Sequence, residues 1–337
     1  MAEIPLTGRV PPPPFFPAAR PSFERFPVKK WIKTLAASCA LLPLAPFAAL
    51  HAAEPVAAPA VAASVPTVDA DPALWVVKDK DTTIYLFGTV HVLKPGLGWF
   101  DEAVKDAFDR SDELMLEMIL PEDQADVAKR MMPLAIDQTG KTIPQRLTPE
   151  QLAAYQAALT SVGLPANAFD AFEPWFPAIT LSVLPLSKLG YDPEQGAEKL
   201  LTRFAKEAKK PIAGFETLEE QLGYFDTLPE TLQVAYLNVV VRDMDKLGPT
   251  LDTLVAQWAK GDPKTLATTM NESMTETPEI AKVLLWDRNQ RWADQIKTRM
   301  AQPGTVFVAV GAGHLAGKNS VQDYLKKRGL SAKRVKY

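Results

Sequence analysis

The sequence predicts an α/β fold whose sheet carries a large helical insertion, and three observations lead there. Runs of β-branched and aromatic residues gather near the two ends of the folded part, and a long stretch rich in helix-start signals lies between them. Two of the three histidines also share one local pattern, a strand-like run that breaks at a glycine with the imidazole three residues on. The two segments are Thr82-Thr-Ile-Tyr-Leu-Phe-Gly88-Thr-Val-His91 and Thr305-Val-Phe-Val-Ala-Val-Gly311-Ala-Gly-His314. A histidine just past the carboxyl end of a strand stands where open α/β sheets place their ligands. The pair therefore points to one site built from both ends of the chain.

The amino-terminal region is expected to stay outside the fold. Residues 1 to 28 are Pro-rich, and Lys29, Lys30 and Lys33 are followed by seventeen uncharged residues, Thr34 to Leu50. That is the basic and then apolar order of a secretory signal, with a cleavage point around His51-Ala-Ala-Glu54, so residues 1–51 are assigned as a signal peptide or an amino-terminal membrane segment. Pro43, Pro46 and the short apolar length argue against a lasting transmembrane helix. His51 and the single cysteine, Cys39, would leave with the signal. Residues 52–70 are Ala/Pro/Val-rich and read as a tether. The globular domain is placed at 71–337, about 265 residues, enough to bury a full core without disulfides. The expected location is periplasmic or secreted, or else anchored in the inner membrane and facing the periplasm.

Charge narrows the partners. The net charge is −3, from 37 basic and 40 acidic residues mixed along the chain. No basic stripe suggests nucleic acid and no acidic block suggests a solvating tail.

Strands are expected at Leu74 to Val77, Thr82 to Phe87, Glu113 to Leu116, Pro211 to Phe215, Thr305 to Val310 and Ala332 to Tyr337. Helix starts are written as an N-cap, a proline at the first helical position and a capping-box glutamine in Thr148-Pro149-Glu-Gln151 and again in Asp192-Pro193-Glu-Gln195; Asp262-Pro263 supplies a third start. A further helix is expected from Pro278 to about Met300, carrying Leu284, Leu285, Arg288 and Trp292. The helical section thus spans about Pro121 to Met300 and is interrupted by one short strand.

Two neutral imidazoles brought together invite a metal, and a hydrolytic site usually adds a carboxylate ligand and an open position for water. Glu117 and Glu216 are the acidic candidates because each follows a strand-like run; Glu216 directly precedes the capping box Thr217-Leu-Glu-Glu220. The alternative is that both are solvated at loop edges. Gly88, Gly311 and Gly313 could take positive φ, let a ligand approach the backbone and turn amides toward a developing oxyanion, or could form ordinary tight turns. Arg288 could bind a substrate carboxylate or stabilise transition-state charge, or could bridge neighbouring elements beside Asn289.

Leu74-Trp75, Tyr85-Leu-Phe-Gly-Thr-Val-His91-Val-Leu-Lys-Pro95, Gly214-Phe-Glu216-Thr-Leu-Glu-Glu-Gln221, Arg288-Asn289-x-x-Trp292 and Val310-Gly-Ala-Gly-His314-Leu together resemble the TraB/GumN family, which includes the PrgY pheromone-shutdown proteins and the animal Tiki proteases. The resemblance runs from about residue 71 to the carboxyl terminus with the motifs in order; Val90 stands where the pattern has isoleucine. It implies a mixed central sheet flanked by helices, of the erythromycin esterase/ChaN-like type. It also implies a divalent-metal site made by the two Gly-x-x-His motifs with a glutamate, and, from the Tiki branch, metal-dependent peptide cleavage. Glu117 matches the acidic position after the second core strand.

The expected function is an exported metal-dependent hydrolase, a peptidase, acting on a peptide or small-molecule substrate. His91 and His314 would bind the ion with Glu117 or Glu216, and the other glutamate would act as general base toward water. Zinc, manganese, cobalt and iron all suit such a donor set. The alternative is a periplasmic protein that binds a peptide, haem or iron without turnover, although no Cys-x-x-Cys-His is present.

Overall fold

The computed structural model describes residues 68–274 and 278–336. The expected signal, its cleavage point and most of the tether lie outside the described residues, as do Cys39 and His51. Described backbone begins with β1 (Val68–Asp69), which pairs in parallel with β4 (Leu97–Gly98), so the end of the expected tether is already joined to the domain. No helix among the described residues is long and apolar enough to cross a membrane.

A six-stranded mixed sheet forms the centre. Its strands are β2 (Leu74–Lys78), β3 (Thr82–Thr89), β5 (Glu113–Met118), β6 (Ile212–Glu216), β7 (Gly304–Gly311) and β8 (Lys333–Arg334), in the order β6-β5-β7-β3-β2-β8. The four strands β6, β5, β7 and β3 run parallel, while β2 and β8 add antiparallel partners at one edge. β3 and β7 are Val-, Ile- and Phe-rich because both faces are covered. Phe87, Leu114 and Phe307 pack toward Trp99 and Trp258 on one face; Ile84, Leu86, Val306 and Val308 pack toward Trp292 and Ile296 on the other. The expected carboxyl-terminal strand is shorter than its sequence suggests: only Lys333 and Arg334 pair with β2, and Tyr337 lies outside the described residues.

Helices surround the sheet: α1 (Glu102–Arg110), α2 (Gln124–Ala135), α3 (Pro149–Ser161), α4 (Trp175–Val183), α5 (Ala197–Glu207), α6 (Leu218–Asp226), α7 (Glu230–Asp243), α8 (Leu247–Ala259), α9 (Pro263–Met274), α10 (Asp287–Arg299) and α11 (Val321–Lys327). The helical insertion is two excursions, residues 119–211 between β5 and β6 and residues 217–303 between β6 and β7. They share a separate core that includes Trp175, Phe225 and Tyr236. The caps written in the sequence form at Thr148 with Gln151 and at Thr217 with Glu220, each side chain meeting the other residue's backbone N–H.

Two of the expected helices differ from their sequence reading. Asp192-Pro193 opens a single 3₁₀ turn, and α5 begins only after Gly196. The interruption has a steric reason, because the chain at Gly196 is pressed on the backbone of His91: a Cβ there would fall 2.2 Å from the His91 carbonyl oxygen. The Ala197 N–H then donates to the Val90 carbonyl at 3.0 Å, fixing the start of α5 beside the first Gly-x-x-His segment. The helix expected from Pro278 to Met300 is likewise not uniform. It widens at Lys282–Trp286 into a π turn, where the Asp287 N–H donates to the carbonyl five residues back. The added residue resets the phase so that Arg288, Asn289 and Trp292 point inward while Gln290 and Arg291 face solvent.

Gly196→Ala should destabilise the protein by about 1–3 kcal/mol, since the methyl has no space to enter. Gly223→Ala, in the interior of α6 with open space around it, should instead stabilise by about 0.5–1 kcal/mol. Urea melts of the two variants check the pair.

Candidate metal and hydrolase site

The carboxyl ends of β3, β5, β6 and β7 converge on one buried cluster. Thr89 pairs with Gly311, and Met118 with Glu216, so the ends of adjacent strands lie level. Glu117 and Glu216 are the penultimate and last residues of β5 and β6, inside the strands rather than just after them. His91 lies two residues past β3, and His314 lies in the 3₁₀ turn Ala312–Leu315 after β7. All four, together with Arg288, are buried, and Arg288 has 0 % exposure.

Arg288 organises the cluster. Its Nη2 donates to Glu117 Oε2 at 2.6 Å and to Glu216 Oε2 at 2.8 Å, and its Nε donates to both oxygens of Glu216 at 3.0 and 3.1 Å. Its Nη1 donates to the Leu284 carbonyl in the π turn at 3.1 Å and lies 3.3 Å from His314 Nε2. Every nitrogen of the guanidinium is thus turned to the interior.

The two glutamates are held differently. Glu216 also accepts from Trp292 Nε1 and Tyr224 Oη, each at 3.0 Å, and from Gln221 Nε2 at 3.1 Å, which leaves it filled with donors. Tyr224 is pushed up to about 12 by its burial and by the Glu216 charge beside it. Glu117 accepts the Gly311 N–H at 2.6 Å on Oε1, and that same oxygen stands 3.7 Å from His314 Nε2. Burial pushes the Glu117 carboxyl up, but Arg288, the two imidazoles and the Gly311 amide outweigh it and hold it at about 2.

The imidazoles also differ. Burial lowers His314 to about 3, with the Glu117 charge opposing, so the ring is neutral. Its Nδ1 lies 2.6 Å from Asn289 Oδ1, and Trp292 packs against it with ring centroids 4.3 Å apart. His91 lies with Nδ1 in close ionic contact with Glu198 Oε1, which Thr89 Oγ1 also approaches. Burial lowers its proton affinity, but Glu198 more than compensates and raises it. The approach at Nδ1 is not aligned as a hydrogen bond, and His91 Nε2 is buried with no partner.

The glycines of the motif act through space. Gly88, Gly311 and Gly313 do not take positive φ, contrary to the expectation from their sequence. Gly88 lets the chain after β7 close in, because a Cβ there would stand 3.0 Å from Ala312 Cα; at Gly313 it would meet Met270 Cε at 2.5 Å. The Gly311 amide is given to Glu117 rather than turned toward a ligand.

A cleft of about 300 Å³ shares His91, Glu117 and Glu198 with this cluster and continues over Leu116, Met118, Leu120 and Val127. Sequence reasoning misses Glu198, which reads as one of many charges on a helix. Its only signal is Gly196, two residues earlier, which brings α5 against His91. Gln221 closes the motif that begins at Gly214, where its residue type alone assigns it no role; it bridges Glu117 and Glu216, at 3.3 and 3.1 Å.

The donor chemistry suits a divalent cation: an ionised carboxylate, a neutral imidazole and a buried imidazole nitrogen without a partner. The 3.7 Å between His314 Nε2 and Glu117 Oε1 is close to the separation of roughly 3.4 Å between two donors on one tetrahedral ion. As the side chains stand, no three His, Cys, Asp or Glu among the described residues are gathered closely enough to hold an ion, so His91 would have to draw up to the other two.

Comparison with known proteins places the chain in a family. The family model for TraB/PrgY/gumN matches residues 73–334, which span both Gly-x-x-His segments, both glutamates and Arg288. The chain belongs to the TraB/PrgY/gumN family. It is 26% identical over 255 residues to the protein YbaP of Escherichia coli (strain K12), covering 76% of this chain and 92% of YbaP. An uncharacterized protein of Treponema pallidum is 22% identical over 273 residues, 76% of this chain and 80% of that one. The protein named Metalloprotease TIKI1 of Danio rerio is 23% identical over 317 residues, 79% of this chain and 63% of TIKI1. No solved structure matches.

Arg288→Met should cost about 3–5 kcal/mol, because it strands two buried carboxylates; the further changes Glu117→Gln and Glu216→Gln should recover much of the loss in denaturant melts. Glu117 carries a second expectation. Its folded carboxyl is held at about 2 against an ordinary value of 4.5. The stability it contributes is complete above pH 4.5 and is lost as pH falls toward 2. Melting temperature measured across that range should fall less steeply in Glu117→Gln.

Proposed function

We propose that this chain is an exported metal-dependent hydrolase that cleaves a peptide bond. The observation that carries the reading is the unpartnered His91 Nε2, a buried nitrogen beside ionised Glu117 in a cleft large enough for substrate. A structural histidine would have both nitrogens satisfied. The likeness to a protein named a metalloprotease supports the same reading.

His314, Glu117 and His91 are the residues that would hold the ion. A bound divalent cation supplies a Lewis acid that polarises the scissile carbonyl and makes water easier to deprotonate. Between the two glutamates, Glu117 is the better ligand, since Glu216 is filled by Arg288, Trp292, Tyr224 and Gln221. Glu216 and Arg288 then act as positioning residues that aim Glu117. Glu117 is too weak a base to take a proton near neutrality. That role falls to Glu198, which lies in the cleft with Oε1 against His91 and Thr89 and with no donor on Oε2 among the described residues. The apolar cleft wall accommodates a hydrophobic side chain next to the scissile bond. Export rests on the basic and apolar order of residues 29–50.

His91→Ala should lower the metal content of purified protein and take cleavage of a peptide library to background while the fold persists. Glu198→Gln should keep the metal and lower kcat by about 10²–10⁴-fold. Full cleavage by chelator-stripped protein, or by His91→Ala, would remove the assignment.

A further inference from the structure

Asn289 is held at both ends, and this fixes a proton elsewhere. Its Nδ2 lies 2.7 Å from the Asn319 backbone carbonyl, a group that only accepts. The carboxamide therefore has one permitted orientation, with the NH₂ toward Asn319 and Oδ1 toward His314, 2.6 Å from Nδ1. Oδ1 carries no proton, so Nδ1 must donate. The ring is buried at 4% exposure and faces the Arg288 guanidinium, a setting that keeps it neutral and leaves its other nitrogen unprotonated. Arg288 reaches the same end independently: its Nη1 is a donor and lies 3.3 Å from Nε2, which must accept.

Asn319 is itself held in place. Its φ is +59°, in the left-handed region that asparagine tolerates, and its N–H donates to Asp323 Oδ2 at 3.0 Å. The turn before α11 thereby presents a fixed carbonyl to α10.

We infer that Asn289 is a positioning residue that locks His314 in the Nδ1-protonated tautomer and keeps the lone pair on Nε2, the nitrogen that stands 3.3 Å from Arg288 Nη1 and 3.7 Å from Glu117 Oε1. The partner on one imidazole nitrogen decides what the other can do. The tautomer follows from the partners of Asn289 alone, whereas its use in holding a cation rests on the hydrolase reading above. The Arg288-Asn289-x-x-Trp292 segment then divides its roles by residue. Arg288 sets the carboxylates, Asn289 sets the proton on the imidazole, and Trp292 packs at a tilt against that ring.

The test uses the full chain with ¹⁵N-labelled histidine and no added metal. Long-range ¹H–¹⁵N correlation reports which ring nitrogen is protonated, with His51→Gln and His91→Gln separating the three imidazoles. His314 should show a protonated Nδ1 and a bare Nε2. Asn289→Leu should move the proton to Nε2, and Asn289→Asp, which keeps an acceptor, should hold it on Nδ1. Titration with Zn²⁺ alone should then bind Asn289→Leu about ten- to a hundred-fold more weakly than the wild type. A wild-type His314 protonated on Nε2 overturns the inference without any variant, as does a folded Asn289→Leu whose tautomer is unchanged. If the tautomer switches as stated but wild-type protein binds no Zn²⁺, the inference stands and the metal reading falls.

Discussion

A single guanidinium holds the ends of three elements in place. Arg288 comes from α10 and meets carboxylates at the ends of β5 and β6, all buried. In such surroundings an unpaired charge is far more costly than a missing apolar contact, so each member of the group requires the others. The geometry of Glu117, Glu216 and Trp292 follows. Glu117 is aimed at His314 because Arg288 and the Gly311 amide take its remaining directions, and Trp292 reaches Glu216 because the same helix face must turn inward. The π turn ahead of α10 belongs to this arrangement, since it brings Arg288 to the sheet and offers the Leu284 carbonyl to the guanidinium.

This organisation explains why so much of the fold is legible in the chain. Strands that are covered on both faces must be apolar throughout, so Thr82 to Phe87 and Thr305 to Val310 announce themselves without help from neighbours. The caps at Thr148 and Thr217 are local chemistry and form as written. What is not legible depends on contact between distant segments. The delayed start of α5 is set by the His91 backbone pressing on Gly196, and no pattern within residues 192–197 contains that information. The π turn at Lys282–Trp286 leaves the apolar spacing of residues 278–300 looking like one helix.

The site is legible to a similar depth. Both histidines and both glutamates lie at the same end of the sheet, because residues at the carboxyl ends of parallel strands are gathered there by the sheet itself, while His91 stands apart from the other three. Their division of labour is hidden. Glu117 and Glu216 look equivalent as acidic residues at strand ends, and only the count of donors around each, four residues on Glu216, tells them apart. Glu198 is invisible for the opposite reason: a glutamate on a charged helix surface gives no sign that the helix is pressed against an imidazole. The motif glycines suggest conformational freedom, whereas the structure uses their lack of a side chain.

The position of β7 has a consequence for when the site can exist. Although it is the last of the four parallel strands along the chain, it occupies the middle of the sheet, between β5 and β3. A chain that has emerged only as far as α10 has β3 and β5 without the strand that separates them, and it has neither His314 nor the amide that orients Glu117. Contacts between segments far apart in sequence thus complete the chemistry, which places the site among the late products of folding. A growing chain carries the carboxylates and the arginine but not the complete cluster, so any chemistry of this site is confined to molecules in which β7 has already taken its place between β5 and β3.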